Sequence, residues 1–169
     1  PDARKKLQQA GASNLSFTLI AATGTVTSQL AQVYQAMMAE AGITMKIELM
    51  DNGALSNRAT TFNFDAALLN WSGRVDPDGN IYDWVRTGGT YNYGRYSNKD
   101  VDALLARARL QNAMSARKAT YNVAVGKVLN DMPYIWVYHQ NLIYGLNKNL
   151  SGLKPIPDGI LRFKDVTLK

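Results

Sequence analysis

The chain has 169 residues, 46% of them hydrophobic and 19% charged, a balance that is globular rather than disordered and sufficient for one domain with a core. It has no cysteine, which excludes disulfides, thiolate catalysis and Cys-based zinc or iron–sulfur sites and fits an oxidising compartment. The net charge is +6, but the basic residues are dispersed, no run of five occurs and no ribonucleoprotein motif appears, so a solvated basic surface is expected and no nucleic-acid partner.

No apolar stretch approaches the ~20 residues of a membrane-spanning helix. The chain begins at Pro1 without an initiator Met, as a processed or excised chain would. "PDARKKLQQAGA" reads as a short helix, with Pro1 suited to its first turn and Gly11 to its stop. "LSFTLIA" alternates Leu15, Phe17 and Leu19 against Ser16 and Thr18 and predicts a strand. From Thr25 the period becomes helical, with Leu30, Val33, Tyr34, Met37, Met38 and Ala41 as the apolar stripe and Gly42 as the end. The methionines are read as core packing rather than as an adaptable binding face.

"ITMKIELMD" returns to period two, with Ile43, Met45, Ile47 and Leu49 on one face. A short helix over Leu55 to Thr61 leads into "FDAALLNW", apolar on nearly every residue, as a strand covered on both faces would be. Alternation of strands and helices at this spacing predicts an α/β layer with a largely parallel or mixed sheet. After a Gly/Tyr-rich loop, "RTGGTYNYGRYS", Ser97 is the expected N-cap, with Asp100 completing an imperfect capping box. Val101, Leu104, Leu105 and Ala108 form the buried stripe of that helix. Ser115 is the expected cap of a further helix with Tyr121, Ala124, Val125, Val128 and Leu129 inside and Pro133 at its end. "YIWVYHQNLIYGL" predicts one long extended segment or two short strands, and from Asn147 the chain is punctuated by Gly, Pro and Asn.

Enzyme chemistry finds little support. His139 is the only histidine, and no G-x-S-x-G elbow accompanies it, so a structural or hydrogen-bonding role is expected. "DPDGN" alternates Asp76, Asp78 and Asn80 like a calcium loop, but its glycine falls at position four and Thr87 stands where Glu is needed. The glycines fit neither a dinucleotide fingerprint nor a P-loop, and no metal, cofactor or catalytic residue is assigned. A small α/β hydrolase- or glycosidase-like enzyme built on Asp76 and Asp78 remains the alternative reading. Carboxylates two residues apart on one turn seldom flank a sugar.

"NWSGRVDPDGNIYDWV", by contrast, leaves the end of a buried strand, where α/β sheets place ligands. Trp71 offers a flat apolar face and Arg74 a planar fork suited to carboxylate. Asp76 could accept from a ligand ammonium, but D-P followed by D-G favours its capping a helix that starts near Pro77. Trp84 lies inside that helix and is expected in the core.

"FDAALLNWSGRVDPDGNIYDWV" followed by "YNYGRYSNKDVDALLARAR" resembles the oligopeptide/dipeptide-binding proteins of bacterial ABC importers, extracellular solute-binding protein family 5. "PDARKKLQQAG", "AQVYQAMMAEAGITMKIELMD", "MPYIWVYHQNLIYGLNKNLSGLKP" and "DGILRFKDVTLK" are similar to further segments of that family, in order along the chain. The resemblance implies a periplasmic-binding-protein type II-like lobe, α/β with a mixed sheet flanked by helices. Residues 1–139 would be the C-terminal ligand-binding lobe of a longer two-lobed protein. Residues 140–169 would be a tail returning to the N-terminal lobe, with a hinge near Pro133 to His139. In isolation that tail would fold back or mediate self-association.

The implied function is capture of a small-molecule or peptide ligand in the periplasm and its delivery to an ABC permease of the inner membrane. Peptide-binding relatives place an aspartate shortly after the W-[ST]-G stretch to take the ligand's α-ammonium. Here Arg74 follows Gly73, which implies a peptide-like or other small polar solute carrying negative charge. Trp71, Ser72, Arg74 and Asp76 are the candidate ligand residues, with Tyr93 and Arg95 on the neighbouring loop.

Overall fold

The computed structural model describes residues 2–156 and 158–169. Two compact units divide the chain, Pro1–Asn70 and Trp71–Lys169.

The first unit follows the predicted order. Helix α1 (Asp2–Gln9) precedes β1 (Ser16–Ala22), α2 (Thr25–Ala41), β2 (Thr44–Met50), α3 (Asn52–Thr60) and β3 (Ala66–Leu68). The role expected for Pro1 lies outside the described residues. The three strands form one parallel sheet in the order β2-β1-β3, with Ser16 opposite Thr44 and Leu19 opposite Ala66. As the central strand, β1 is covered on both faces: Leu19 is 8% exposed, and Ile20 and Ala21 are fully buried. Leu19, Ala31 and Met45 form one cluster with Phe17, Tyr34, Met38 and Ile47 packed around it. Strand alternation turns Ile20 to the opposite face, and α3 also packs on β1, contributing buried Leu55 and Ala59.

Two expectations are corrected here. The face of α2 that meets the sheet runs through Ala31, Tyr34 and Met38, while Val33 and Met37 are exposed at 55% and 56%. A helix lies close to a sheet only where a small residue permits it, and Ala31 does so. The strand read from "FDAALL" is three residues long, pairs only with β1 and is half-buried rather than enclosed. Its approach is continued by Asp65, whose carboxylate accepts the Thr18 N–H at 2.9 Å, doing the work of a ladder bond with a side chain.

The second unit comprises α4 (Asp78–Val85), α5 (Lys99–Arg109), α6 (Met114–Asp131) and an antiparallel pair, β4 (Leu150–Ser151) with β5 (Thr167–Leu168). Residues 140–169 belong to it. The parallel sheet therefore contains no antiparallel member, and the only antiparallel pairing among the described residues is this separate one. The core joins Val85, Val101, Leu105 and Ala108 to Tyr121, Ala124 and Val128, with Trp84, Tyr96 and Tyr134 against it. The α5 stripe matches expectation. On α6, Thr120, Tyr121, Ala124 and Val128 are inside, while Val125 and Leu129 face out.

Both expected caps move. Asn98, not Ser97, caps α5, its side chain accepting from the N–H groups of Asp100 and Val101 at 3.0 and 3.3 Å. Ser97 instead shares a hydroxyl contact with Thr87, and Asp100 pairs with Lys127 at 2.9 Å. Helix α6 starts at Met114 behind Ala113, so Ser115 sits inside the first turn and no side chain caps it. The helix ends as predicted before Pro133, with Met132 left-handed at φ 49°.

Among the described residues, no strand forms between Pro133 and Asn149. Ile135, Trp136, Tyr138 and Ile143 are exposed there, and His139 with them. Apolar, β-branched composition favours a strand only when a neighbouring edge takes its backbone groups. No helix among the described residues is long and apolar enough to cross a membrane.

Truncating the fully buried Leu105 to Ala should lower the unfolding free energy by about 3 kcal/mol in urea titrations followed by circular dichroism. A loss under about 1 kcal/mol would show that α5 and α6 do not share a packed core.

Candidate functional site

The loop 71–77 carries four of the predicted residues, and Asn80 in the first turn of α4 shapes it. The Asn80 Oδ1 accepts the Trp71 indole N–H at 3.1 Å and the Arg74 amide at 2.6 Å. Its Nδ2 donates to the carbonyls of Arg74 and Asp76 at 2.6 and 3.1 Å. An asparagine side chain competes well for backbone groups, which makes it a poor helix interior residue and a good loop organiser. Gly73 takes φ 64°, a left-handed conformation that glycine adopts without strain. At Gly79, a Cβ would stand 3.1 Å from the Arg74 Cβ and Cγ, so glycine admits the arginine stem against the helix start.

Arg74 lies over Trp71, with the guanidinium carbon 4.4 Å from the indole centroid. Arg74 Nη1 donates to the Ser72 hydroxyl at 2.8 Å and to the Gly73 carbonyl at 2.6 Å. Trp71, Ser72 and Arg74 are all exposed. Arg58, Arg86, Arg109, Arg117 and Arg162 each have a carboxylate partner, whereas Arg74 has none among the described residues. Its charge does reach Asp158, whose carboxyl is held at about 2, first by Arg162.

Behind Arg74 lies an aromatic cluster. Trp71 meets Trp84 edge-on at 5.2 Å and Tyr91 at 5.4 Å, and Trp84 meets Tyr93 at 5.9 Å and Tyr134 at 6.1 Å. Trp84 packs on the core as predicted, and Tyr134 donates to its carbonyl at 2.8 Å. Tyr93 thus joins Trp71 through Trp84, and burial raises its pKa. The loop bearing Tyr91 and Tyr93 is folded around Asn92, 4% exposed, which donates to the carbonyls of Arg86 and Tyr96 and accepts from the Tyr96 amide. Arg95 is exposed on the same loop at φ 53°.

Asp76 points elsewhere. Its carboxylate takes both arms of the Arg117 fork at 2.7 and 2.8 Å and accepts the Asp78 amide at 2.8 Å, the helix-entry role favoured from the sequence. Asp78 is paired with Arg109 at 3.2 Å and receives the Tyr121 hydroxyl at 3.3 Å. An open depression of about 280 Å³ beside these residues is therefore lined by charges that already satisfy one another. The three oxygen donors of "DPDGN" are each engaged within the protein, which leaves no calcium-loop arrangement. No sequence pattern marks the hub roles of Asn80 and Asn92 beyond an Asn in a helical first turn and an Asn among tyrosines.

Residues 1–93 match the model of bacterial extracellular solute-binding proteins, family 5, middle region. The chain belongs to this family. It is 33% identical over 160 residues to di/tripeptide-binding protein 4 of Pseudomonas aeruginosa strain UCBPP-PA14, covering 89% of this chain and 30% of that protein. The periplasmic binding protein DppA of Helicobacter pylori, solved in complex with a peptide, superposes with a TM-score of 0.71 at 26% identity, covering 78% of this chain and 27% of that one. AppA of Bacillus subtilis, solved with a nonapeptide, has the same fold over 99% of this chain and 37% of its own, with a TM-score of 0.80 at 24% identity. The chain thus spans about a third of the length of these relatives, and its fold is that of a type II periplasmic-binding-protein lobe.

Asp76 is held at about 2, below the ordinary 3.8, chiefly by the Arg117 hydrogen bonds and then by the Asp78 amide. A carboxyl depressed on folding adds stability that is complete above its unfolded value and is lost as pH falls through the folded one. Stability should therefore decline between about pH 4 and pH 2, and less steeply in Asp76→Asn; Asp158, also near 2, keeps part of the slope. Chemical denaturation across that range, with a carboxyl NMR titration of Asp76, measures both quantities.

Proposed function

We propose that this chain is the C-terminal lobe of a periplasmic solute-binding protein, comprising residues 1–139 with 140–169 as the returning tail. Such a protein captures a peptide-like or other small polar solute and delivers it to an ABC permease. Membership of the solute-binding family and the peptide-binding names of relatives such as di/tripeptide-binding protein 4 support the ligand class. The observation that carries the reading to particular residues is Arg74: an exposed guanidinium parked on the Trp71 face, oriented by Ser72 and without a carboxylate partner.

Trp71 supplies apolar contact, Ser72 a hydroxyl, and Arg74 a fork for a ligand carboxylate. Tyr93 and Arg95 flank them. Asp76, engaged by Arg117, orders the loop. Ligand contacts shared with a second lobe would shift an open–closed equilibrium that the permease reads. No observation favours the hydrolase alternative, because Asp76 and Asp78 are both paired with arginines.

In the full-length protein, Arg74→Ala should weaken binding of di- and tripeptides with free C-termini at least about tenfold, ~1.4 kcal/mol, by isothermal titration calorimetry. C-terminally amidated peptides should lose affinity in the wild type and be indifferent to the substitution. Equal affinity of wild type and variant across the panel would remove Arg74 from the site. The isolated 169-residue chain, with half the contacts, should bind the same peptides poorly; nanomolar affinity would sink the two-lobe account.

A further inference from the structure

The candidate ligand side chains stand on a loop with no ladder or helical hydrogen bonds of its own, so something else must hold Arg74 in place. Asn80 is one tether. The second comes from 41 residues away on α6.

Arg117 is only 19% exposed in its side chain. Its two terminal nitrogens grip both oxygens of Asp76, its Nε donates to the Ala108 carbonyl at 3.3 Å near the end of α5, and its guanidinium lies 5.3 Å from the Tyr121 ring centroid. The hydrogen bonds to Asp76 push its pKa up, so the cation is permanent. With its fork filled, Arg117 cannot itself take a ligand. What it fixes is Asp76, and through Asp76 the turn that follows: Oδ1 of Asp76 sets the Asp78 amide, and its carbonyl receives Asn80. Asn80 in turn holds the Trp71 indole and both backbone groups of Arg74.

We propose that Arg117 is a positioning residue: its bidentate grip on Asp76 keeps Asn80, and hence Arg74 and Trp71, in the ligand-ready arrangement. The proposal rests on the reading of Arg74 as the ligand's anchor. The planar fork matters as well as the charge, because lysine can neutralise Asp76 but cannot grip both of its oxygens in one plane.

The test uses the isotopically labelled chain without ligand. In Arg117→Lys, hydrogen exchange of the Arg74 amide should accelerate at least about tenfold, and the Trp71 Nε1–H resonance should move toward that of an unbonded indole, while the amide of Leu105 in the α5 core keeps its protection. Asn80→Ala, which removes the direct tether, should produce both changes. Overturning results are Arg117→Lys leaving Arg74 and Trp71 unchanged while Asn80→Ala shifts them, or a uniform rise that includes Leu105, which would make Arg117 a staple of general stability. The peptide titrations of Arg74→Ala fail or succeed independently of these signals, so loss of the ligand reading and loss of the positioning role are distinguishable.

Discussion

An arginine side chain that is four-fifths covered has to find its partner within the fold, and for Arg117 that partner is Asp76. Burying a cation is costly unless its donors are filled, and this one is filled from three directions: Asp76, the Ala108 carbonyl at the end of α5, and the Tyr121 ring and hydroxyl on its own helix. Much of the second unit follows from that requirement. Helix α4 begins where Asp76 can cap it, Asp78 is left to meet Arg109 and Tyr121, and the Pro-Gly turn between them is shaped by ionic contacts more than by apolar burial. Charged residues that look like a catalytic or calcium-binding group in sequence become the scaffold on which an exposed arginine is displayed.

The elements whose order was legible in the sequence are those where one periodicity dominates. Strand β1, helix α2 and strand β2 are set apart by changes between period two and period 3.6, and helix α5 by an apolar stripe that begins after a Gly/Tyr-rich loop. The face of α2 was not legible, because two apolar stripes wind around it. Val33 and Met37 carry more hydrophobic bulk than Ala31, yet the sheet takes Ala31, since close approach is limited by volume and not by hydrophobicity. The caps failed for a related reason. Ser97 and Asn98 both suit the role, and only tertiary contacts decide: Thr87 occupies the serine hydroxyl, and Asp131 accepts from the Asn98 amide, orienting its oxygen toward the helix.

Asn80 and Asn92 define a second class of what sequence conceals. Each is a hub that joins backbone groups four to six residues away, and neither spacing forms a periodic pattern. The segment after Pro133 shows the converse. Its composition fits a strand, and the chain there forms no ladder among the described residues, since strand propensity describes how a side chain suits a pleated, paired surface. The loop 71–77 stands out in the sequence as a candidate site because Trp, Ser, Arg and Asp cluster after an apolar run. Its internal division of labour does not, because that division depends on α6.

Two arginines in the second unit illustrate how burial sets role. Arg117 is largely covered and matched, so its charge contributes to architecture; Arg74 is exposed, rests on an indole and forms no ion pair among the described residues, though its charge is felt at Asp158. In open water a carboxylate 4 Å from Arg74 would gain only about 1 kcal/mol, and about 4 kcal/mol where the effective dielectric falls to ~20. The same contact is thus weak in open water and several-fold stronger where water is excluded. Trp71 covers one face of the guanidinium and leaves the rest to a second surface. On the proposed reading the chain provides charge, flatness and orientation, and affinity arises with enclosure, which suits Arg74 to a site completed by a second surface more than to a free-standing pocket.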